Sequence, residues 1–199
     1  MSVGIVIGTF GTQEWKLWGE ELERKIRDSQ SPMPHADSIR VLSVHGDTLA
    51  EARNVGAKAL ATDWLIFLDA DDDLRPGYVS EMLRTVKSET LDIVQPATIG
   101  VYPDGSVDPE ANLIPKRDLA TGNYIVIGAM CRRSKFDEVG GFRELPVLED
   151  WDLWRRMWKA GAKIGSCETA IYVVGVNPGS RNSDTPLHNR VYRQIRNGQ

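Results

Sequence analysis

Over the first hundred residues, short apolar runs alternate with amphipathic stretches. Residues 3–10 (VGIVIGTF) are apolar and rich in β-branched side chains, the pattern of a buried strand. Residues 13–28 predict a helix: Leu17, Leu22 and Ile26 fall roughly on one face, with Trp15 and Trp18 beside it. Pro32 and Pro34 make 29–38 a loop, and 39–44 predict a second strand. A helix follows over 48–61, with Asp47 or Thr48 as its cap, then a third strand over 64–68. Pro76 fits the first turn of a helix running to about Lys87, and 91–99 predict a fourth strand. Strands alternating with helices in this way imply a mostly parallel, Rossmann-like sheet in a three-layer α/β fold.

The pattern changes after Gly100. Residues 102–118 contain Pro103, Asp104-Gly105, Pro109 and Pro115 and read as irregular. Residues 124–131 predict a strand, 134–139 a short helix ended by Gly140-Gly141, and 149–160 a helix closed by Gly161. Residues 163–174 predict one or two strands. From Pro178 onward the chain is polar, and its four Arg after position 180 make it a basic tail. Trp154 and Trp158 recur at helical spacing and read as a core stripe.

The candidate chemistry sits where the third strand ends. Asp69, Asp71, Asp72 and Asp73 place four carboxylates within five residues. Such groups repel one another unless a cation lies among them. Their hard oxygens suit Mg²⁺ or Mn²⁺, ions usually held by one or two carboxylates plus substrate phosphates. A phosphorylated substrate handled through a metal is the expectation. Asp72 and Asp73 also read as charge-stabilising caps for the helix opening at Pro76.

Composition narrows this little. The 199 residues, 41% hydrophobic and 26% charged, suit one globular domain. A net charge of -4 gives no general reason to expect nucleic-acid binding. Cys131 and Cys167 read as reduced core thiols. Neither a signal peptide nor an integral membrane anchor is legible, so a cytoplasmic protein is expected.

Three segments, in order and in register, carry a family resemblance. Ala52-Arg53-Asn54-Val55-Gly56-Ala57 looks like an "aRNxGa" helix start, and Phe67-Leu68-Asp69-Ala70-Asp71-Asp72 like a metal-binding "fLDADD". The stretch from Gly128-Ala129-Met130 through Gly140-Gly141-Phe142 to Glu149-Asp150-Trp151-Asp152-Leu153-Trp154 looks like an acceptor-side "GGF…EDWDLW". The chain resembles family 2 glycosyltransferases with the GT-A fold. The resemblance implies an inverting transfer of a sugar from a nucleotide diphosphate sugar, a UDP-sugar favoured, to an acceptor hydroxyl that the sequence does not name. It implies a nucleotide-sugar half over 1–100 with Thr9, Arg53, Asp69 and Asp71 at the donor, and Asp71 as a ligand of Mn²⁺ or Mg²⁺. It implies an acceptor half over 101–177 with Gly128, Ala129, Glu149 and Trp151, and Asp150 as general base. Trp151, beside that base, is expected to stack on a sugar. The small size leaves an oligomer or a partner protein to complete the acceptor side.

Two departures stand out. The family's second strand usually ends in an acidic "DDGS"-like turn that reads the base; here it ends Val44-His45-Gly46-Asp47. Many members carry a late metal-contacting His; here Asn177 stands near that position, and His188, further on, is the candidate metal ligand. Rival readings are weaker. Asp69-Ala70-Asp71 also resembles the motif of haloacid-dehalogenase-like phosphatases, but follows the third strand rather than the first. Gly4, Gly8 and Gly11 miss the dinucleotide fingerprint and the phosphate-binding loop. A sugar-nucleotide or glycan-binding module with a decayed site is the non-enzymatic alternative.

Overall fold

A computed structural model describes residues 1–30, 38–177 and 185–197. Strands β1 (Ser2–Phe10), β2 (Ser38–Gly46) and β3 (Trp64–Asp69) alternate with helices α1 (Gln13–Ser29) and α2 (Leu49–Leu60). There follow β4 (Asp73–Leu74), α3 (Tyr78–Ser88), β5 (Ile93–Val101), β6 (Met130–Arg132), α4 (Arg133–Glu138), α5 (Glu149–Lys159), β7 (Ile164–Gly175) and α6 (Thr185–Asn197). One sheet has the order β2-β1-β3-β6-β5-β7-β4. Its long pairings, β1 with β2, β1 with β3, and β5 with β7, are parallel. The antiparallel pairings are short and involve only β6 and β4. The sheet is thus mostly parallel, with short antiparallel pairings that link strands of the two halves.

Register explains where a site can form. β1 lies between β2 and β3, with Thr9 opposite His45 and Gly8 opposite Asp69. These residues therefore share the carboxyl edge of the sheet, where open α/β sheets bind ligands. Every residue of β3 before Asp69 is buried, so the strand is fixed and Asp69 emerges from it at a defined place.

Several expected elements differ in detail. On α1 the core face is Gly19, Leu22 and Ile26, while Leu17 is 54% exposed, so the apolar spacing overstated its role. Thr48 rather than Asp47 caps α2: its Oγ1 accepts from Glu51 N at 3.1 Å, and Asp47 N donates back to the Glu51 carboxylate at 2.8 Å. Helix α3 starts at Tyr78, with Gly77 before it, so Asp72 and Asp73 do not cap it; Asp73 belongs to β4 and pairs with Lys25. Of the strand expected over 124–131, only Met130 and Cys131 fall in a ladder, β6, which runs on to Arg132. The rest is buried but irregular: the Gly128 carbonyl accepts from Tyr78 Oη at 2.7 Å, and Ile125 N donates to Asn123 Oδ1. Trp154 is buried, whereas Trp158 is 39% exposed and outside the core.

Of the expected tail, 185–197 form the amphipathic helix α6, which buries Val191 and Ile195. Its Tyr192 ring stacks on Trp151 at 5.0 Å, and Arg155 donates to the Arg196 carbonyl at 3.0 Å. Cys131 and Cys167 are buried free thiols; burial pushes Cys131 up to about 12, away from reactivity. Among the described residues no helix is long and apolar enough to cross a membrane.

Candidate active site

The end of β3 turns sharply, Asp72 N donating to the Asp69 carbonyl at 3.1 Å, and gathers three carboxylates. One oxygen each from Asp69, Asp71 and Asp72 lies within 4.8 Å of the others. The second half of the sheet holds this turn. Asp72 accepts from Gly175 N at 2.8 Å and from the Tyr172 hydroxyl, and Asp71 accepts from Asn177 Nδ2 at 3.0 Å. The approach is close enough to require glycine: a Cβ on Gly175 would lie 2.1 Å from the Asp71 carbonyl oxygen. Burial, then the Asp69 charge, push the Asp72 carboxyl well above its ordinary range, against the hydrogen bonds from Tyr172 and Gly175. An all-oxygen donor set of three converging carboxylates fits a hard divalent cation. A cleft of about 410 Å³ opens beside the turn, lined by Trp18 and Lys25 of α1 as well as by Asp71, Asp72 and Gly175.

A second acidic group stands at the start of α5. Leu148, immediately before it, adopts a left-handed conformation (φ 62°) that sets how Glu149 and Asp150 leave the turn. Arg53 of α2, 1% exposed, joins the two groups: one end pairs with Asp69, the other with Glu149 at 2.9 Å. The guanidinium also lies 5.1 Å from the centre of the Phe142 ring. Burial lowers the Arg53 pKa, but Asp69 and then Glu149 outweigh it and hold the group above its ordinary value. The charge is thus permanent and compensated. Asp150 differs. Burial, then the Glu149 charge, push its carboxyl up to about 6, while Trp151 N (2.7 Å) and Arg53 favour the anion. Asn123 Nδ2 donates to its other oxygen at 2.9 Å. A carboxylate with affinity for a proton near neutrality suits a general base.

The remaining expected residues fall as follows. Thr9 is 2% exposed, with its Oγ1 3.0 Å from His45 Nδ1 and 3.3 Å from the Val44 carbonyl, at the shared sheet edge. Ala129 is buried behind the site, and a Cβ on Gly128 would run into the Tyr172 ring. Trp151 is 1% exposed, its Nε1 donating to the Leu119 carbonyl at 3.0 Å and its ring stacked on Tyr192. It has no free face for a sugar, because Tyr192 of α6 covers its ring. His188 lies on α6 and is not among the converging ligand atoms; Asp72 takes that place. Tyr172, Gly175 and Asn123 also contact these carboxylates, outside every sequence motif. Gly175 carried a usable signal, a glycine ending an apolar strand, but Tyr172 and Asn123 carried none.

The profile of glycosyl transferase family 2 matches residues 24–143. This chain belongs to glycosyl transferase family 2. It is 30% identical over 143 residues to a pre-mycofactocin glycosyltransferase of Mycobacterium tuberculosis, covering 65% of this chain and 30% of that one. It is 30% identical over 113 residues to an uncharacterized glycosyltransferase of Haemophilus influenzae, covering 52% and 38%. The chain thus spans well under half the length of these relatives. Among solved structures, S. aureus TarS 1–349 in complex with UDP-GlcNAc superposes with a TM-score of 0.68 at 15% identity, covering 93% of this chain and 61% of that one. The TarS 1–349 complex with UDP gives 0.66 at 16% identity, covering 98% and 64%. At such identities the likeness is one of fold, the GT-A glycosyltransferase fold that the sequence motifs implied.

Proposed function

We propose that this family 2 member is a metal-dependent inverting glycosyltransferase using a nucleotide diphosphate sugar, with a UDP-sugar favoured. The observation that carries the reading is the pairing of two unlike acidic groups through buried Arg53: a cation-ready carboxylate turn and a carboxyl poised near neutrality. TarS, which shares the fold, was captured with UDP-GlcNAc and with UDP, and this supports the donor class.

In this reading Thr9 and Asp69 border the nucleotide, and Asp69, Asp71 and Asp72 would hold Mn²⁺ or Mg²⁺. That ion would supply charge neutralisation for the departing diphosphate. Arg53 acts through the two carboxylates it holds, keeping donor and base groups in fixed relation. Asp150 takes the proton from the acceptor hydroxyl as its oxygen bonds to the anomeric carbon. The bond from that carbon to the diphosphate breaks on the opposite face, and the nucleoside diphosphate leaves. Attack opposite the leaving group inverts the anomeric centre. Gly128, Ala129 and Glu149 shape the acceptor side by packing behind these groups. The acceptor's chemistry has no signature in these residues.

The test is release of UDP from UDP-sugars, UDP-GlcNAc first, with Mn²⁺ and with EDTA. Metal-dependent release is expected. Metal-dependent binding with no turnover of any donor, with a range of acceptors present, would replace this reading by the binding module of the same fold.

A further inference from the structure

We propose that Asn123 is a positioning residue that orients the Asp150 carboxylate, on a segment locked in place by Trp151 and Tyr192. This rests on the reading of Asp150 as the base.

The argument is geometric. Asp150 Oδ1 is held by Trp151 N at 2.7 Å, a bond within its own helix that leaves the carboxyl plane free to swing. The bond from Asn123 Nδ2 to Oδ2, 2.9 Å across 27 residues, fixes that plane. Each oxygen keeps a lone pair, so the group can still take a proton. Asn123 is fixed in turn, its Oδ1 accepting from Ile125 N at 3.1 Å. The preceding turn is closed by Asp118, whose carboxylate accepts from Ala120 N at 2.9 Å. Two aromatic side chains then clamp the turn: Trp151 Nε1 donates to the Leu119 carbonyl at 3.0 Å, and Tyr192 Oη to the Thr121 carbonyl at 2.8 Å. Because these two rings stack on each other, α6 and α5 grip one segment together.

The charged groups around Asp150 are Glu149 of its own helix, Arg53 of α2 and Asp69 at the end of β3; Asn123 is a neutral side-chain donor among them. An N–H donor favours the anion, so removing it should raise proton affinity while leaving those charges in place.

The test is a carbon-13 titration of the Asp150 carboxyl in the full chain, assigned by its loss in Asp150→Asn. The wild-type midpoint is expected near 6. Asn123→Ala should move it up by roughly half a unit to one unit. Asn123→Ser, whose hydroxyl can still accept from Ile125 N, should shift it in the same direction and serves if the alanine variant does not fold. An unchanged midpoint in a folded variant overturns the proposal, because a purely structural asparagine would lower stability without moving this titration. The base reading fails separately, by retained UDP release in Asp150→Asn.

Discussion

The two acidic groups are built from the same side chain and made into opposite things. At the end of β3, three carboxylates face one another, held by backbone and hydroxyl donors from β7. At the start of α5, Asp150 is buried beside Glu149, whose charge Arg53 pairs, and is held by an amide. The first arrangement gathers oxygen ligands at a spacing that suits the proposed divalent cation. The second holds a single carboxyl, Asp150, at a proton affinity near neutrality, which is what the proposed base requires. Neighbours, rather than residue type, divide the labour.

The largest expected effect comes from removing the base. Asp150→Asn should cut donor turnover by about 10²–10⁴-fold, the usual contribution of general-base catalysis, with UDP affinity unchanged. Kinetics beside calorimetry would check this, and an equal fall in both would merge the two groups into one. Next comes the link between them. Arg53→Met strands Asp69 and buried Glu149 and should destabilise the fold by about 3–5 kcal/mol in denaturant unfolding. Adding Glu149→Leu should recover part of that loss; a further loss instead would deny that the pair is coupled.

The proton-affinity contrast predicts a pH dependence. Folding raises Asp150 from its ordinary 3.8 to about 6, so the native state binds more protons between those values. Its contribution favours folding fully below pH 3.8 and is lost as pH rises through about 6, by up to about 3 kcal/mol. The difference in stability between wild type and Asp150→Asn, followed by urea unfolding from pH 4 to 8, should therefore grow in the variant's favour as pH rises. A constant difference would remove the raised pKa from the account. The smallest effect separates two tryptophans. Trp158→Ser should change stability by under about 0.5 kcal/mol, as exposed positions do, whereas Trp154→Ala should cost about 3–5 kcal/mol.

The same contrast explains what the chain's sequence made legible. Local signals carried the first hundred residues: continuous apolar strands, a helix cap at Asp47 or Thr48 and four clustered carboxylates needed no distant partner to be read. The second half depends on contacts across long separations. The run before Met130 has strand-like composition, yet its polar groups bond to Tyr78 and Asn123 instead of a ladder. The spacing of Val191 and Ile195 is amphipathic, but the polar composition around them hid a helix whose stability comes from docking on α5. Trp151 looked available because Tyr192 is remote in sequence. His188 is a candidate ligand by residue type alone, whereas the carboxylate oxygens that converge are those of Asp69, Asp71 and Asp72, all inside the motif.

The most direct test is calorimetric titration of UDP in the presence of Mn²⁺ into the wild type, Asp71→Asn and Asp150→Asn. Binding lost in Asp71→Asn and kept in Asp150→Asn is the result predicted by a division between cation turn and base. Equal affinity in all three, or equal loss in both variants, would contradict it.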